Sequence, residues 1–594
     1  MAGSAPNEEG LRALGRTIDE APRRGRAGPA HARRDRWVAG TSPGGGGGGT
    51  NGGGPGGGGG GRGKPQRPHK RRWVKRTLLI TLAVLVIAVG AAAGYGWYLN
   101  HKIHRIIVQG LTTGATTGKD ANTENILMVG STTRCGLAHQ TAAYGLCTQG
   151  VTGVNSDVIM ILHLDPATKS VSILSLPRDL FIPNARSTGA YKIDAALAQG
   201  PSQLVNAIEE DFAIPIQHYV ELNFDTFAAI VTQLGGITME FPDPIFDRYS
   251  GLRVLTPGCH HLNGVQALQV VRARHLQYWV PGQPRTYPYT WPQEAESDLA
   301  RITRDHTFLK VLASKMAKTG LGNPAHDISL IDALAPHLTV DSGFNASDMV
   351  HLVLTFHSVN VNQAPTMTLP VIVDTFGTYL YQGGHFGDVE FPSNPVDHST
   401  IDSFLGLGAA DNTMTGEPLP KAKTVTVSVL NGTGVTGQAT QTATALGNLG
   451  FHTVGTGNAT PVGQYSETTV SYAHRTPADI AAAQLVADSL SGAVILEYGP
   501  TADGAQVTVT TGSDFSVNSS LPSDTTPSAP TSTTPTTTTP PPKTSGNVTY
   551  GATVASRSTS PTSGFTGTFP AVTPLTSYDP RACPPGVVGN PGNW

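Results

Sequence analysis

Apolar and polar positions change rhythm several times along the chain, and each change marks an element. Residues 77–99, TLLITLAVLVIAVGAAAGYGWYL, are apolar almost without a break and carry no charge. At about 1.5 Å per residue this run reaches roughly 34 Å as a helix, enough to cross a bilayer. Residues 124–130 and the stretch 156–179 are rich in Val, Ile and Leu and bounded by turn residues. They predict strands buried on both faces, the second stretch giving two strands joined by the turn Asp165-Pro166-Ala167-Thr168. The rhythm then becomes helical over 201–212, where Leu204, Val205, Ile208 and Phe212 share a face, and over 224–234, which Gly235 and Gly236 end. A helix begins at 192–196 and a long one runs over 297–318. Residues 216–222 and 237–241 predict strands, and 265–271 fits either a helix or a strand.

Farther along, 328–334 and 349–359 predict helices and 367–373 a strand. Residues 383–420 carry glycines and prolines throughout and predict a connector. Strands at 425–430, 469–472 and 507–510, with helices at 438–449 and 478–490, predict a second, smaller α/β unit. Its turn at Gly432–Gly437 matches G-x-G-x-x-G, but the acidic residue that a dinucleotide site needs after a second strand is missing. The fold class predicted is α/β: a three-layer α-β-α sandwich behind one transmembrane helix, plus a small C-terminal α/β domain. The predicted domains are a disordered Gly/Arg-rich cytoplasmic tail (1–76), the transmembrane helix (77–99), a stem (100–121), the main domain (122–382), the connector (383–422), the second domain (423–515) and a disordered Ser/Thr/Pro-rich tail (516–594).

Charge adds an orientation. Arg62, Lys64, Arg67, Lys70, Arg71, Arg72, Lys75 and Arg76 precede the apolar run, while Tyr95, Trp97 and Tyr98 lie at its far end. The positive-inside rule then puts the N-terminus in the cytoplasm and everything after residue 100 outside, the topology of a single-pass type II protein of the cell membrane. The formal net charge of −2 argues against a nucleic-acid partner. The four cysteines, Cys135, Cys147, Cys259 and Cys583, contain no C-x-x-C and give no metal site. In an oxidising compartment Cys135 and Cys147 are either a disulfide or two separate thiols, and Cys583 has Cys259 or another chain as its partner.

Candidate chemistry centres on the hairpin. It enters with Asp157 and leaves with Arg178-Asp179. Carboxylates beside an arginine suit a magnesium ion and a phosphate, and they equally suit a surface ion pair. Arg272 and Arg274 fall on one side of an extended segment, and Arg301 and Asp305 on one face of a helix. Between them lies an aromatic loop, 276–291, that fits a roof over a lipid site, a membrane contact or an ordinary packed loop.

The order of the segments carries a resemblance. NILMVGSTTR, NSDVIMILHLDPATKSVSILSLPRD, YKIDAAL, NFDTFAAIVTQLGGI, LTPGCHHLNGVQALQVVRARH and SDLARITRDHTFL resemble, in sequence order, the motif blocks of the LytR-CpsA-Psr family of bacterial cell-envelope proteins. The unit at 423–515, with VLNGTGVTG and a closing GSDF, is similar to the LytR C-terminal type of domain. The resemblance implies an extracytoplasmic phosphotransferase that attaches a polyprenyl-diphosphate-linked glycopolymer to peptidoglycan, with Mg2+ as cofactor. It implies catalytic roles for Asp157, Arg178 and Asp179, and substrate contacts for Arg178, Lys192, Arg272, Arg274 and Arg301. Metal ligands would be Asp157, Asp179 and Thr132. The chain departs from the family pattern at Thr132, Asn155 and Asp305, where the family has Asp, Arg and Gln; Asp305 either reaches the site and replaces the missing charge or simply pairs with Arg301. The alternative is a degenerate member that binds lipid-linked precursors without transferring them. A third function, transcriptional attenuation, conflicts with the predicted topology.

Overall fold

The computed structural model describes residues 94, 97–98, 100–114, 119, 122–135, 147–150, 152–294, 297–320, 338–356, 359–360, 363–523, 555–556 and 579–590. The predicted segments 1–76 and 328–334, and all but Gly94, Trp97 and Tyr98 of 77–99, lie outside the described residues, as does most of 516–594. Among the described residues no helix is long and apolar enough to cross a membrane.

The predicted hairpin lies in a seven-stranded mixed sheet. Going across it, the strands are His104–Ile106, Thr339–Asp341, His218–Leu222, Glu124–Ser131, Ser156–Asp165, Ser170–Leu176 and Thr366–Thr368. Alternation along Glu124–Ser131 divides its side chains between two cores. Ile126 joins Leu164, Val340 and Phe344 on one face, under the helix Ala346–Phe356. Leu127 and Val129 join Ile159, Ile161, Leu174 and Leu176 on the other, with Leu204 and Ile208 of the helix Pro201–Phe212 and Phe404 of the helix Val396–Leu405. Helices thus pack on both faces, which is why the strands read as continuous apolar runs rather than as alternating ones.

Asparagines set two helix starts. Asn223 caps Phe224–Gln233 and Asn263 caps Gly264–Arg272, each accepting the backbone N–H three residues on in a capping box. The ambiguous segment 265–271 is therefore a helix. Gly264 is there because a Cβ would stand 2.1 Å from the Ala228 carbonyl oxygen, so the two helices could not approach with any other residue.

The stretch 383–420, expected as a connector, instead holds the strand Gly384–Asn394 and the helix Val396–Leu405. Gly384–Asn394 pairs antiparallel with Val371–Tyr381 and, through Ser393 and Asn394, with Leu490–Tyr498 of the C-terminal unit. The second sheet therefore runs unbroken from the C-terminal unit into the main one. Glycines at 384 and 387 and Pro392 hide this strand from propensity, and tertiary pairing overrides them. Docking is completed where Tyr472 Oη donates to the Glu210 carbonyl (3.0 Å) and Thr413 Oγ1 to that of Ala213 (2.6 Å).

Two disulfides are present, Cys135–Cys147 and Cys259–Cys583. The second fastens part of the tail expected to be extended: Arg581–Ala582 adds as a short strand to the edge of Ile237–Phe241.

Candidate active site

Hairpin register builds the centre of the site. Ile159 faces Leu176 and Ile161 faces Leu174, so each cross-strand pair sums to one constant. Two residues beyond the last pair, the same register sets Asp157 opposite Arg178. Their side chains form an ion pair between Arg178 Nη1 and Asp157 Oδ1. The turn that fixes the register is closed by Asp165, whose carboxylate accepts the Ala167 N–H at 2.8 Å and the Thr168 hydroxyl at 2.5 Å.

A second hairpin, Phe181–Arg186 and Gly189–Lys192, turns Lys192 back beside Asp179. Lys192 Nζ donates to Asp179 Oδ1 at 2.9 Å, Arg274 Nη2 to Oδ2 at 3.3 Å, and Arg178 Nε lies 3.6 Å from Oδ2. One carboxylate thus gathers three cations that come from three segments. Burial raises the Asp179 carboxyl, but Arg178, Lys192 and Arg274 outweigh it and hold the group below the usual carboxylate range.

Three acidic residues that sequence reasoning missed complete the cluster. Asp194 lies 3.7 Å from Arg178 Nη2, and burial pushes its carboxyl up to about 6 against that guanidinium. Asp298 Oδ1 lies 3.0 Å from Arg274 Nε and 3.1 Å from Arg301 Nη2. Glu390 reaches the site from the strand mistaken for connector. Its N–H donates to the Asp179 carbonyl at 3.0 Å, and its buried Oε2 has no hydrogen-bond partner among the described residues. Burial, with Asp298 and Asp179 nearby, drives the Glu390 carboxyl well above its usual range.

Other expected residues take different places. Arg301 is 3% exposed at its side chain; it donates to the Asp157 carbonyl at 2.6 Å and lies against Asp298, so it braces the site from beneath. Asp305 pairs with Arg301 rather than reaching the site: it is buried one helical turn below, 3.8 Å from Arg301 Nε, and burial pushes it up to about 7 against Arg301 and Arg304. It has the ordinary i,i+4 relation to an arginine and is 4% exposed. Thr132 is buried as well, and its hydroxyl accepts the Asn155 N–H at 2.9 Å. That bond ties the strand end to the loop before Ser156 rather than offering an oxygen to a metal. Arg272 ends its helix, with Ala273 extended after it, and stacks on Phe224 at 4.6 Å. Arg134 lies over the same ring at 5.5 Å, a placement that the motif containing it did not reveal. In the aromatic loop, Trp279 and Trp291 donate to carbonyls within the loop and Trp291 is buried, while Tyr287 and Tyr289 are exposed.

Arg304 does more than its neighbour Arg301. Its fork meets both Glu294 oxygens, at 2.6 and 3.0 Å, and its Nη2 also donates to the Ala273 carbonyl, directly before Arg274. Both side chains of this pair are fully buried.

At the opening, Arg178, Lys192 and Arg274 are 18–28% exposed at their side chains and Asp157 is 23% exposed. With Arg301 they make four cations, against the four carboxylates of Asp157, Asp179, Asp194 and Asp298. Such a cluster can receive phosphate oxygens through guanidinium and ammonium donors. With no surplus of positive charge, a diphosphate bound there needs a cation with it. The donor set fits Mg2+, which takes one or two carboxylates and the substrate's own phosphates. Asp157 is the residue suited to hold it, because both Asp179 oxygens already face basic side chains. Among the described residues no group of three His, Cys, Asp or Glu could hold a metal by itself.

The chain matches the LytR_cpsA_psr family over residues 100–389 and the family described as LytR cell envelope-related transcriptional attenuator over 424–515. A relative named probable cell wall biosynthesis protein LcpB, from Corynebacterium glutamicum, is 30% identical over 48% of this chain and 63% of that protein. Polyisoprenyl-teichoic acid–peptidoglycan teichoic acid transferase TagV of Bacillus subtilis is 30% identical over 32% of this chain and 44% of its own length. The chain thus spans less than two thirds of either relative. A solved LytR-Csp2A-Psr enzyme from Actinomyces oris shares 26% identity, covering 45% of this chain and 87% of that one, at a TM-score of 0.36.

Proposed function

The chain belongs to the LytR-CpsA-Psr family, and from that premise we propose that it transfers a glycopolymer from a polyprenyl diphosphate carrier to peptidoglycan, outside the cell membrane. The observation that carries this proposal is the convergence of Arg178, Lys192 and Arg274 on Asp179 at an accessible opening. These three side chains bind and orient the diphosphate, exchanging their ion pairs with Asp157 and Asp179 for phosphate oxygens. Asp179, fixed by its neighbours, keeps the cations in register. Arg301 and Asp298 hold the strand end and Arg274 from below. Mg2+ held by Asp157 would neutralise charge that develops on the leaving phosphate. The acceptor hydroxyl oxygen of peptidoglycan forms the new P–O bond at the sugar-linked phosphorus as its proton passes to a carboxylate of the cluster. The bond to the bridging oxygen breaks, and polyprenyl phosphate departs.

A second function, binding of the lipid-linked precursor without transfer, is favoured by Thr132, whose hydroxyl is already bonded to backbone. One experiment separates the two. The full chain is incubated with a polyprenyl-diphosphate-linked glycopolymer and peptidoglycan, with and without Mg2+, beside Arg178→Ala and Thr132→Asp. Transfer that needs Mg2+ and drops by roughly 100-fold or more in Arg178→Ala is expected. Transfer untouched by Arg178→Ala would end the proposal. Binding alone, converted to transfer by Thr132→Asp, would establish the second function.

A further inference from the structure

A cleft of about 700 Å3 lies apart from the charged cluster, between the hairpin Phe181–Lys192, the helix Pro201–Phe212 and the C-terminal unit. Its volume is that of a small-ligand site, about 300–1,000 Å3. The wall has two characters. Half-buried rings of Tyr381, Phe386, Tyr465 and Tyr498 present apolar faces with hydroxyl rims. Asn206, Gln382, Glu467 and Glu497 supply amide and carboxyl groups. The rings are held by packing: Phe181 stands edge-on to Tyr381 at 5.3 Å and to Phe386 at 4.9 Å, and Tyr381 meets Tyr465 at 6.0 Å.

Glu467 is the telling residue. It lines the cleft, is 6% exposed, and its Oε1 has no hydrogen-bond partner among the described residues. A buried acceptor left so is destabilising, and a ligand that donates to it removes that cost. Burial, with Asp211 and Glu497 close by, pushes its carboxyl well above the usual range. That shift favours the neutral form, in which a carboxyl both donates and accepts. The cleft's two arginines are already engaged: Arg475 pairs with Glu210 and lies over Tyr498 at 4.4 Å, and Arg186 lies over Tyr191 at 3.5 Å. A phosphate would meet the carboxyl groups of Glu210, Glu467 and Glu497 beside those two arginines, and an acyl chain would leave the amides and carboxyls of the wall unpaired.

We infer that this cleft binds an uncharged oligosaccharide, the ring faces of the sugar against Tyr381, Tyr465 and Tyr498 and its hydroxyls on Glu467, Glu497 and the amides. Sugars combine apolar ring faces with hydroxyls that give and take hydrogen bonds, and this wall offers both. The site and the charged cluster share a strand: Phe386 and Glu390 lie on Gly384–Asn394, four residues or ~13 Å apart. The inference stands independently of transfer, because binding is measured without turnover.

The test is calorimetric titration of the full chain with chitotriose, maltotriose and arabinotriose, with spermine as the cationic probe. At least one trisaccharide is expected to bind saturably at one site. Thr188→Trp, on the exposed turn at the mouth of the cleft, is expected to weaken binding at least tenfold, and Tyr465→Ala to do the same from the opposite wall. Thermal melts identical to wild type would show that Thr188→Trp folds. No saturable binding of any trisaccharide would overturn the inference. So would binding of spermine alone, or binding that survives Thr188→Trp but is lost in Arg178→Ala, which would place the sugar in the charged cluster.

Discussion

The Glu294–Arg304 pair offers a prediction in which stability and function come apart. Both side chains are fully buried, and the guanidinium makes two bonds to the carboxylate and one to the Ala273 carbonyl. Arg304→Met leaves Glu294 without its counter-charge. Breaking a buried pair from one side costs about 3–5 kcal/mol. For a domain of this size 1 kcal/mol shifts the melting temperature by about 2–4 °C, so a fall of roughly 6–20 °C is expected. Burial already pushes Glu294 up to about 7 against Arg304; without Arg304 it rises further, so the loss should grow as pH is raised and the melt is best taken at the alkaline end. Adding Glu294→Leu removes the stranded charge, and replacing a buried pair by apolar residues is often neutral or better. Most of the lost stability should therefore return in the double variant. Function should not return. The Ala273 carbonyl still lacks its donor, Arg274 is no longer held, and a misplacement of about 1 Å can cost on the order of 100-fold in turnover. The assay pairs differential scanning calorimetry with transfer from a polyprenyl-diphosphate substrate. A melting temperature unchanged in Arg304→Met would refute the energetic reasoning. Full activity in the double variant would refute the positioning role.

Two more predictions concern the joints of the molecule. His398 on Val396–Leu405 pairs with Asp488 at the end of Pro477–Asp488; burial lowers its pKa, but Asp488 and Asp397 outweigh burial and carry it to about 10. A histidine raised in this way stabilises the fold fully below about pH 6.5 and loses that contribution as pH rises toward 10. Asp402, pushed up to about 8 by burial, acts in the same direction between its unfolded value and 8. Urea denaturation from pH 6.5 to 10 should show stability falling steadily, and His398→Gln should flatten the slope; an equal slope in the variant would exclude the pair as its source. The second joint is Cys259–Cys583, whose partners lie 324 residues apart. Cys583→Ser should raise hydrogen exchange at residues 581–590, which reach the sheet edge through Arg581 and Ala582; unchanged protection would mean that backbone pairing alone holds the segment.

The hairpin shows how far the amino-acid order goes. A four-residue turn closed by Asp165 fixes the register, and register alone places Asp157 across from Arg178. The helix starts at Asn223 and Asn263 are equally local, because a capping box needs only four consecutive residues. The strands of the seven-stranded sheet read as such because both their faces are buried, leaving an apolar run with no competing pattern.

Pairing between distant segments decided the rest. Arg301 and Arg304 are three residues apart in one helix, and nothing in their spacing tells which braces Asp157 and which carries Arg274; burial and partners do. Asp194, Asp298 and Glu390 come from three separate segments, so no motif could assemble them. Glu390 was least visible, since glycines and a proline weaken the strand that carries it, and only partners on either side make that strand form. Thr132 diverged from expectation and Asp305 had two places open to it, because identity and position in the sequence do not say whether a side chain faces an opening or the packing beneath it. Local order determined the elements and the central ion pair. Long-range packing chose which charges meet, because burial and charge are properties of a place in the fold and not of a position in the chain.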